Sequence, residues 1–495
     1  MENRRRLFSF TSVWLGLGVV LFAIGAKLAL IHYYGTDQPY ADQWTAEGLY
    51  LVRGPLYYHL DWLQYFSPHG EHRPALSRLW LRGLVAANGG QWDCYAELVA
   101  NLSLYALFLV LLWRWVARSV GGFALGLAAL VMAILFALPC AYENFLWGFQ
   151  SCFLFMLLAG VVHITWTMQS TRVDGRWYLA QLVGLAGLFS IAAGVMSAGA
   201  LVAVAGFKFV RGQRNAWVWS TFVVNAFLLG LGLCLLNQVE VPSDGLLTRL
   251  GAAVARTGYL LSWPMAGAWW SLLLQAPMAW MLVSAIRADG NDATTQEDWR
   301  VIVPGLWIAF SSFAIAYGRN FTRETIGVRY YDVLLVGLLV NFVVLTRIQS
   351  RLTRPWRLVC VAGGILWVAL LASGLWTHNR PRDLGPAFRY MHDLATEQRD
   401  VLRDFLVTSD PARLEAFNEK AHRFPQMEDT LTFLRDPKVP EILPPSLTPD
   451  EHAGPLSRLA LRIVATWAWV MAAGGCLLVL GLVRSTRRSP AAPQA

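Results

Sequence analysis

The polar residues best suited to chemistry lie in three short stretches of an otherwise apolar chain. The first reads Asp37-Gln-Pro-Tyr-Ala-Asp42-Gln-Trp44 and carries two carboxylates with four residues between them. A carboxylate placed beside a hydroxyl group can accept its proton and act as a general base. The competing interpretation of either acid is a solvated loop residue. The sequence therefore leaves Asp42 and Asp37 as alternative catalytic candidates.

The second stretch, Glu71-His72-Arg73-Pro74, directly precedes a run of apolar residues at helical spacing over 75–87. Proline suits the first position of a helix, so the triplet is expected at a helix N-terminus. Free N–H groups and the helix dipole favour an anion such as phosphate there. Glu71, His72 and Arg73 are therefore candidate substrate-binding residues.

The third stretch combines two short connections between apolar runs, residues 139–150 and 318–332. Polar residues flank Trp147 in the first connection, although an interfacial tryptophan with solvated neighbours is an equally ordinary interpretation. Arginines occupy the second connection, on a side where the other short loops hold few basic residues, and this exception indicates an anion to bind. The candidate substrate-binding residues here are Glu143, Gln150, Arg319, Arg329 and Tyr330, with Arg323 as a weaker member.

The elements that carry these stretches are expected to lie in a membrane. The chain of 495 residues is 56% hydrophobic and 15% charged, whereas soluble proteins have about 25% charged residues. Its apolar runs are roughly 18–25 residues long, enough to cross a hydrocarbon core of about 30 Å. The net charge of +9 comes from basic residues beside these runs, so no nucleic-acid partner is expected.

The fold class predicted from these runs is an all-α integral membrane protein with about twelve transmembrane helices. Basic residues concentrate in alternate loops, and this positive-inside asymmetry places both termini in the cytoplasm. We find no internal repeat of the kind that many transporters show. The predicted spans cover residues 8–31, 94–117, 120–138, 148–168, 177–193, 197–211, 216–236, 258–286, 300–317, 329–346, 357–377 and 460–483.

The first apolar run, 10–30, follows three arginines at 4–6 and has the outline of a signal peptide. It is too long for a signal core, and no small-residue cleavage site follows before His32, so we predict a retained helix. Lys27 lies near the end of this run. Its side chain is expected to reach towards the membrane interface.

Two longer segments are predicted outside the membrane on the non-cytoplasmic side. The first outer loop, 32–93, is expected to carry juxtamembrane helices: an aromatic stretch over 55–66 that lies in the headgroup plane, and the helix over 75–87. The second segment, 378–458, holds most of the acidic residues and a helical pattern over 383–408, and Asp410 before Pro411 predicts the start of a further helix. The apolar positions of the first of these helices are Phe388, Met391, Leu394, Leu402 and Phe405.

These segments divide the chain into three predicted units. Residues 1–377 form a transmembrane catalytic module, 378–458 a periplasmic helical domain that packs over the mouth of the bundle, and 459–495 the last transmembrane helix with a cytoplasmic tail. Cys94, Cys140 and Cys152 fall near the outer face, where a disulfide can form. Neither the cysteines nor the four histidines of the first loop have the spacing of a metal site.

The order of these elements resembles the polytopic GT-C superfamily of glycosyltransferases: a first span, a large acidic outer loop, two helices along the membrane, then many further spans. The resemblance covers nearly the whole chain, and its motifs are similar to those of a bacterial branch. The motifs are Tyr40-Ala-Asp42-Gln-Trp44, Glu71-His72-Arg73, the stretch from Glu143 to Gln150, Gly318-Arg319 and Val328-Arg329-Tyr330.

The resemblance implies transfer of a sugar from a polyprenyl-phosphate-linked donor, by an inverting mechanism with an aspartate base. It implies Asp42 as that base, with Asp37 as the competitor, and Arg329 as a ligand of the donor phosphate. The adjacent acidic pair of some members is absent here. Some members use a divalent cation and others do not, so the cofactor is left open.

The sequence thus predicts a membrane glycosyltransferase of cell-envelope glycan biosynthesis, acting on a glycan, lipid or protein acceptor. An excess of arginine over lysine suggests the bacterial inner (cytoplasmic) membrane, with the active site facing the periplasm. The alternative is a transporter or flippase for a lipid-linked glycan, which predicts buried charges at mid-bilayer and broken helices. A third interpretation is a non-catalytic scaffold, which has no need of the acidic loop.

Overall fold

The computed structural model describes residues 10–53, 62–236, 245–288, 293–319, 326–424, 426–448 and 452–487, and these residues form helices without a β-strand. The predicted aromatic stretch over 55–66 lies partly outside the described residues. The α-helices are α1 Phe10–Tyr34, α2 Leu49–Arg53, α3 Ala75–Ala87, α4 Cys94–Ser119, α5 Phe123–Ala137, α6 Glu143–Leu146, α7 Ser151–Gln169, α8 Gly175–Gly187, α9 Met196–Val210, α10 Ala216–Leu235, α11 Leu246–Ser262, α12 Trp270–Leu274, α13 Ala276–Arg287, α14 Ala293–Gly318, α15 Tyr331–Arg351, α16 Arg354–His378, α17 Pro381–Thr408, α18 Ala412–Ala421, α19 Met427–Leu434, α20 Val439–Ile442, α21 Pro455–Ala465 and α22 Trp467–Arg487.

Among the described residues, ten helices are long and apolar enough to cross a membrane. The all-helical membrane architecture is therefore confirmed, while the number of twelve spans stays a prediction. The predicted span 177–193 corresponds to α8, which has only 13 residues. The predicted span 258–286 is divided among α11, α12 and α13, because Pro264 interrupts it after α11 and a proline cannot donate a backbone hydrogen bond.

The first and last spans, α1 and α22, pack along each other through small residues. A Cβ added to Gly25 would overlap the backbone of Met471, and one added to Gly474 would overlap the backbone of Phe22. Close approach of this kind stabilises helix pairs where lipid removes the hydrophobic drive for association. The last span therefore connects the outer segment that precedes it to the core of the bundle.

The two ends of the bundle differ in charge. Arg347 donates to the carbonyl oxygen of Ser119 at the end of α4 and pairs with Asp298 at 3.3 Å. Lys208 at the end of α9 donates to Gln296 at 2.6 Å. The basic residues of these predicted cytoplasmic loops thus lie at one end of the bundle. The acidic outer loop lies at the opposite end, where α4 begins.

Lys27 does not reach the membrane interface, so that prediction is wrong. Its side chain is 1% exposed, and Nζ donates to the carbonyl oxygen of Leu138 at 2.6 Å. The amine also lies 4.5 Å from the ring centroid of Phe145. A free carbonyl at the end of α5 and an aromatic face attract the cation inward more than an interface does.

A second apolar core lies outside the spans and joins the first outer loop to the segment 381–447. Trp44 and Trp92 of the loop pack with Phe433, and α17 contributes Leu402 and Phe405. The predicted helix over 383–408 is confirmed with its apolar face inward. The predicted helix after Asp410 and Pro411 is also confirmed: α18 begins at Ala412, whose N–H donates to the Asp410 side chain at 3.0 Å. The first loop is therefore held in place by this outer segment.

Candidate functional site

Asp42 stands at the start of a short π-helix, Trp44–Gly48, in the first outer loop. Its backbone carbonyl accepts from the N–H groups of Thr45 and Ala46, which fixes the turn. The side chain is 37% exposed, and Oδ2 lies 3.8 Å from Nε2 of His69. The carboxylate therefore faces an open space beside a histidine.

His69 and His72 hold each other through two backbone hydrogen bonds, 2.8 and 3.0 Å long. Glu71, in the turn between them, forms an ion pair with Arg319 and lies 3.4 Å from Nε2 of His72. Nδ1 of His72 accepts from the N–H of Ala192 at 3.1 Å, and burial lowers the pKa of His72 to about 4. His72 is therefore neutral at physiological pH, and its Nε2 carries the proton that faces Glu71.

Arg329 forms the opposite wall of the site. Its guanidinium pairs with Glu143 at 3.2 Å and lies over the rings of Trp147 and Tyr330. Asn144 donates to the backbone carbonyl of Arg329 at 2.9 Å, which fixes the chain just before α15. The arginine side chain keeps 28% of its surface exposed, so its remaining donors are accessible to an anion.

The two walls belong to one site. The ring of Trp147, 5.9 Å from the Arg329 guanidinium, contacts Phe149, and Phe149 packs edge-on against His69 with ring centroids 5.6 Å apart. Tyr40 packs edge-on against Trp147 with ring centroids 5.0 Å apart. The structure therefore brings together most of the residues that the sequence nominated: Asp42, Glu71, His72, Glu143, Arg319, Arg329 and Tyr330. Arg323, the weaker nominee, lies outside the described residues.

Three nominated residues lie elsewhere or have other partners. Asp37 faces a separate cavity, where its Oδ1 accepts from Ser446 at 2.7 Å. Arg73 donates to the backbone carbonyls of Leu235 and Phe66, both at 2.9 Å. Gln150 is 2% exposed and its Oε1 has no partner among the described residues. The phosphate contact of Arg73 stays a prediction.

The helix N-terminus at α3 is also occupied. The N–H of Leu76, in the first turn, donates to the carbonyl oxygen of Phe189 at 3.1 Å. The helix begins after Pro74, as the sequence indicated. Its buried face, however, includes Arg78, whose guanidinium donates to three backbone carbonyls of the first loop at 2.6–2.9 Å. The first turn therefore anchors neighbouring loops and offers few free donors.

A buried polar group beneath Asp42 was not identified from the sequence. The amide of Gln43 donates to Glu47 at 3.1 Å and to Glu97 at 3.0 Å, and each of the three side chains is 1% exposed. Glu97 could have been found from the sequence, because a glutamate inside an apolar span is often functional. The pair Gln43 and Glu47, four residues apart, then faces it from the loop.

The same group positions the Trp147 connection. A Cβ added to Gly148 would collide with the carboxyl group of Glu97, so a larger residue there would displace that carboxyl group. Asn101, one turn further along α4, donates to the carbonyl oxygen of Gly148 at 2.9 Å. The start of α4 thus holds the loop of Asp42 and the segment of Glu143 against each other.

Glu47 gives the protein a predicted pH dependence. Burial raises the pKa of Glu47 from 4.5 to about 8, although Gln43 and Arg78 act in the opposite direction. The folded state therefore holds the proton more tightly than the unfolded state. Its contribution to stability is present at low pH and is lost as the pH rises through about 8. We therefore expect the thermal unfolding temperature in detergent to fall as the pH is raised from 5 to 8, because Glu47 loses its buried proton over this range.

Glu47→Gln, which mimics the protonated form, should flatten this pH profile when unfolding is followed by intrinsic fluorescence. Glu397→Gln is the matched control, since Glu397 is 44% exposed and pairs with Lys420 at the surface. An unchanged slope in Glu47→Gln would contradict the assignment of the buried proton to Glu47.

Among the described residues, no group of three or more histidine, cysteine, aspartate or glutamate side chains is arranged to hold a metal ion. The six cysteines are all free, and Cys94, Cys140 and Cys152 are buried separately. The chain matches no protein-family model, and neither curated proteins nor solved structures include a significant match to it.

Proposed function

We propose that this protein is a membrane glycosyltransferase of the GT-C type, which moves a sugar from a polyprenyl-phosphate-linked donor to a hydroxyl group of a glycan, lipid or protein acceptor. The observation that carries the proposal is that an accessible carboxylate, Asp42, lies at the same end of a membrane bundle as two arginines, Arg319 and Arg329, each of which is paired with a glutamate. A base and phosphate-binding cations are the two requirements of this reaction.

The proposed step is a displacement at the anomeric carbon. The acceptor oxygen forms a bond to that carbon while the bond from the carbon to the phosphate oxygen breaks. The acceptor proton passes to Asp42, and the polyprenyl phosphate leaves with the electron pair. Arg329 and Arg319 stabilise the negative charge on the departing phosphate, because the planar guanidinium matches its oxygens.

The carboxylates beside the arginines have a defined part in this proposal. Glu143 and Glu71 orient Arg329 and Arg319 before the donor arrives. Both pairs are partly exposed, so water screens the attraction within each pair and a phosphate group can compete for the guanidinium. The rings of Trp147 and Tyr330 lie 5.9 and 5.4 Å from the Arg329 guanidinium and attract its positive charge.

We further propose that this site faces the periplasm at the bacterial inner membrane. Support comes from the separation of charge along the bundle, with Arg347 and Lys208 at the end opposite to Asp42. The positive-inside rule assigns that basic end to the cytoplasm. A cysteine introduced at position 420, in α18, should react with a membrane-impermeant reagent added outside spheroplasts.

The alternative function is a flippase for a lipid-linked glycan, and two observations favour it. Lys27 and Asp332 are buried inside the bundle, and α11–α13 form a broken segment in place of one span. However, Lys27 contacts Leu138 and Phe145, and the charge of Asp332 acts on it. All of these residues lie near the outer end of the helices. These charges lie beneath the proposed site, which fits a supporting role better than a path across the membrane.

The experiment that tests the proposed function combines lipid analysis with a transfer assay. Protein purified in nanodiscs should retain a polyprenyl phosphate species detectable by mass spectrometry. It should release free polyprenyl phosphate when given a polyprenyl-phosphate-linked hexose and an extracted envelope glycan. Translocation of the donor across liposomes without any release of polyprenyl phosphate would instead establish the flippase.

A further inference from the structure

A second polar cavity, of about 340 Å³, lies outside the proposed transfer site. Its walls come from five parts of the chain: the start of the first outer loop, the beginning of α4, the helix α17, Pro445, and α21 with the residue Ala453 that precedes it. This volume lies within the range of small-molecule binding pockets. The cavity is lined by Asp37, Gln38, Asp93, Tyr95, His392 and Arg399, among others.

Hydrogen-bond acceptors occupy one wall of this cavity. Asp37 accepts from the hydroxyl group of Ser446 at 2.7 Å, and a carboxylate oxygen can accept more than one hydrogen bond. Asp93 caps α4 by accepting from the N–H groups of Tyr95 and Ala96 through Oδ1. Burial raises the pKa of Asp37, and it raises the pKa of Asp93 to about 6, with the neighbouring Asp37 charge adding to the effect.

Gln38 provides the independent sign that something binds here. The side chain is 4% exposed, lines the cavity, and its Oε1 has no hydrogen-bond partner among the described residues. A buried acceptor without a partner is costly, and native proteins rarely leave one unexplained. This oxygen is enclosed as the side chain stands, so a ligand that donates a hydrogen bond inside the cavity satisfies it once the Gln38 amide turns towards the cavity.

Donors occupy the opposite wall. Arg399 and His392 of α17 face the acidic side, and the charge of Arg399 acts on Asp37. The cavity as a whole therefore carries both acidic and basic side chains, and this mixture suits neither a strongly anionic ligand nor a cation. Among the described residues no metal-binding cluster forms here either. Hydroxyl groups both donate and accept, so a ligand with several hydroxyl groups matches both walls.

The rim of the cavity connects this polar interior to an apolar surface. Leu461 lines the cavity and is 57% exposed, as part of α21, which carries Arg458 and Arg462 among exposed aliphatic residues. A helix of this kind lies along a membrane interface. A ligand held at the membrane surface can therefore reach the cavity.

We propose that this cavity binds a neutral carbohydrate, with sugar hydroxyl groups donating to Asp37, Asp93 and Gln38 and accepting from Arg399 and His392. Saccharide binding does not depend on transfer chemistry. Its interpretation as the acceptor subsite does rest on the proposed function, and it then assigns the acceptor to the glycans. For a glycan long enough to extend from the cavity to Asp42, the two aspartates that the sequence left as alternatives acquire separate tasks: Asp37 holds the acceptor and Asp42 takes its proton.

The test uses the full chain in nanodiscs and the methyl glycosides of glucose, galactose and mannose as probes, with binding measured by saturation-transfer NMR and calorimetry. Ala395→Phe fills the cavity from α17. It should weaken binding of the preferred glycoside by about tenfold or more. Thr396→Val removes a lining hydroxyl with little change of shape and should weaken binding less.

Ala416→Phe is the matched control, because Ala416 is exposed on α18 and outside the cavity. It should bind the glycoside as the wild type does. Arg329→Ala should also leave saccharide binding unchanged, which separates this site from the donor site. Absence of binding to all three glycosides, or equal binding by wild type and a folded Ala395→Phe protein, would overturn the proposal. Preference for inorganic phosphate over every glycoside would also overturn it.

Discussion

Asp42→Asn should slow sugar transfer by about 10²–10⁴-fold, the usual contribution of a positioned general base. The amide keeps the size of the side chain and removes its capacity to take a proton. Donor affinity should change little, because Asp42 lies beside His69 at 3.8 Å and has no contact with either arginine pair in the structure. Single-turnover transfer and donor binding, measured on the same preparation, separate these two effects.

Asp37→Asn is the informative partner of this substitution. Asp37 lies in the second cavity and accepts from Ser446, so its loss should affect acceptor affinity more than the chemical step. A raised KM for the acceptor with a nearly normal kcat is the expected result. An inactive Asp37→Asn protein beside a nearly normal Asp42→Asn protein would move the base to Asp37. Full transfer activity in both would show that neither aspartate of this loop is the base.

His69 offers a further distinction at the same carboxylate. Its Nε2 faces Asp42, and a histidine in this position can orient a carboxylate or relay its proton. His69→Gln keeps a donor near Asp42 and should cost less than Asp42→Asn. The sequence nominated the carboxylate but gave His69 no role, because a lone histidine in a loop has no spacing that assigns it a partner.

The fold was predictable where local physics decides it. Apolar runs identified the long spans, since only helices satisfy their own backbone in a bilayer. The start of α18 after Asp410 and the apolar face of α17 followed equally from local pattern. The sequence shows Pro264, but it does not show that the helix ends there, because prolines also occur within intact membrane helices.

The candidate site was predictable in its residue types and less so in its partners. The excess of arginine in 318–332 pointed to Arg329, and the structure places Glu143 beside it. In the sequence, Arg73 was as good a candidate for phosphate binding as Arg329, but in the structure it donates to the backbone carbonyls of Leu235 and Phe66. Lys27 looked interfacial but meets Leu138. Except for the contact of Arg73 with Phe66, these pairings join residues more than a hundred positions apart, and no local pattern encodes them.

Arg329→Ala should weaken binding of the polyprenyl-phosphate donor by about 10–100-fold, the effect of losing charge-assisted hydrogen bonds worth roughly 1.5–3 kcal/mol. Expression and folding should be retained, because the backbone of Arg329 is held separately by Asn144. Binding is measured by displacement of a fluorescent polyprenyl phosphate in nanodiscs. Arg413→Ala is the control, since Arg413 is 63% exposed on the outer segment and pairs with Asp404.

Substitution of Glu143 distinguishes two explanations of reduced donor binding in Arg329→Ala. If Arg329 binds phosphate, Glu143→Gln removes its competitor for the guanidinium, so donor binding should hold or strengthen while turnover falls with the lost orientation. The double variant should then bind no worse than Arg329→Ala alone. If the pair is only a structural link, both single variants should lower the unfolding temperature equally and leave donor affinity unchanged. Opposite signs on donor affinity are the outcome that only a phosphate-binding arginine produces.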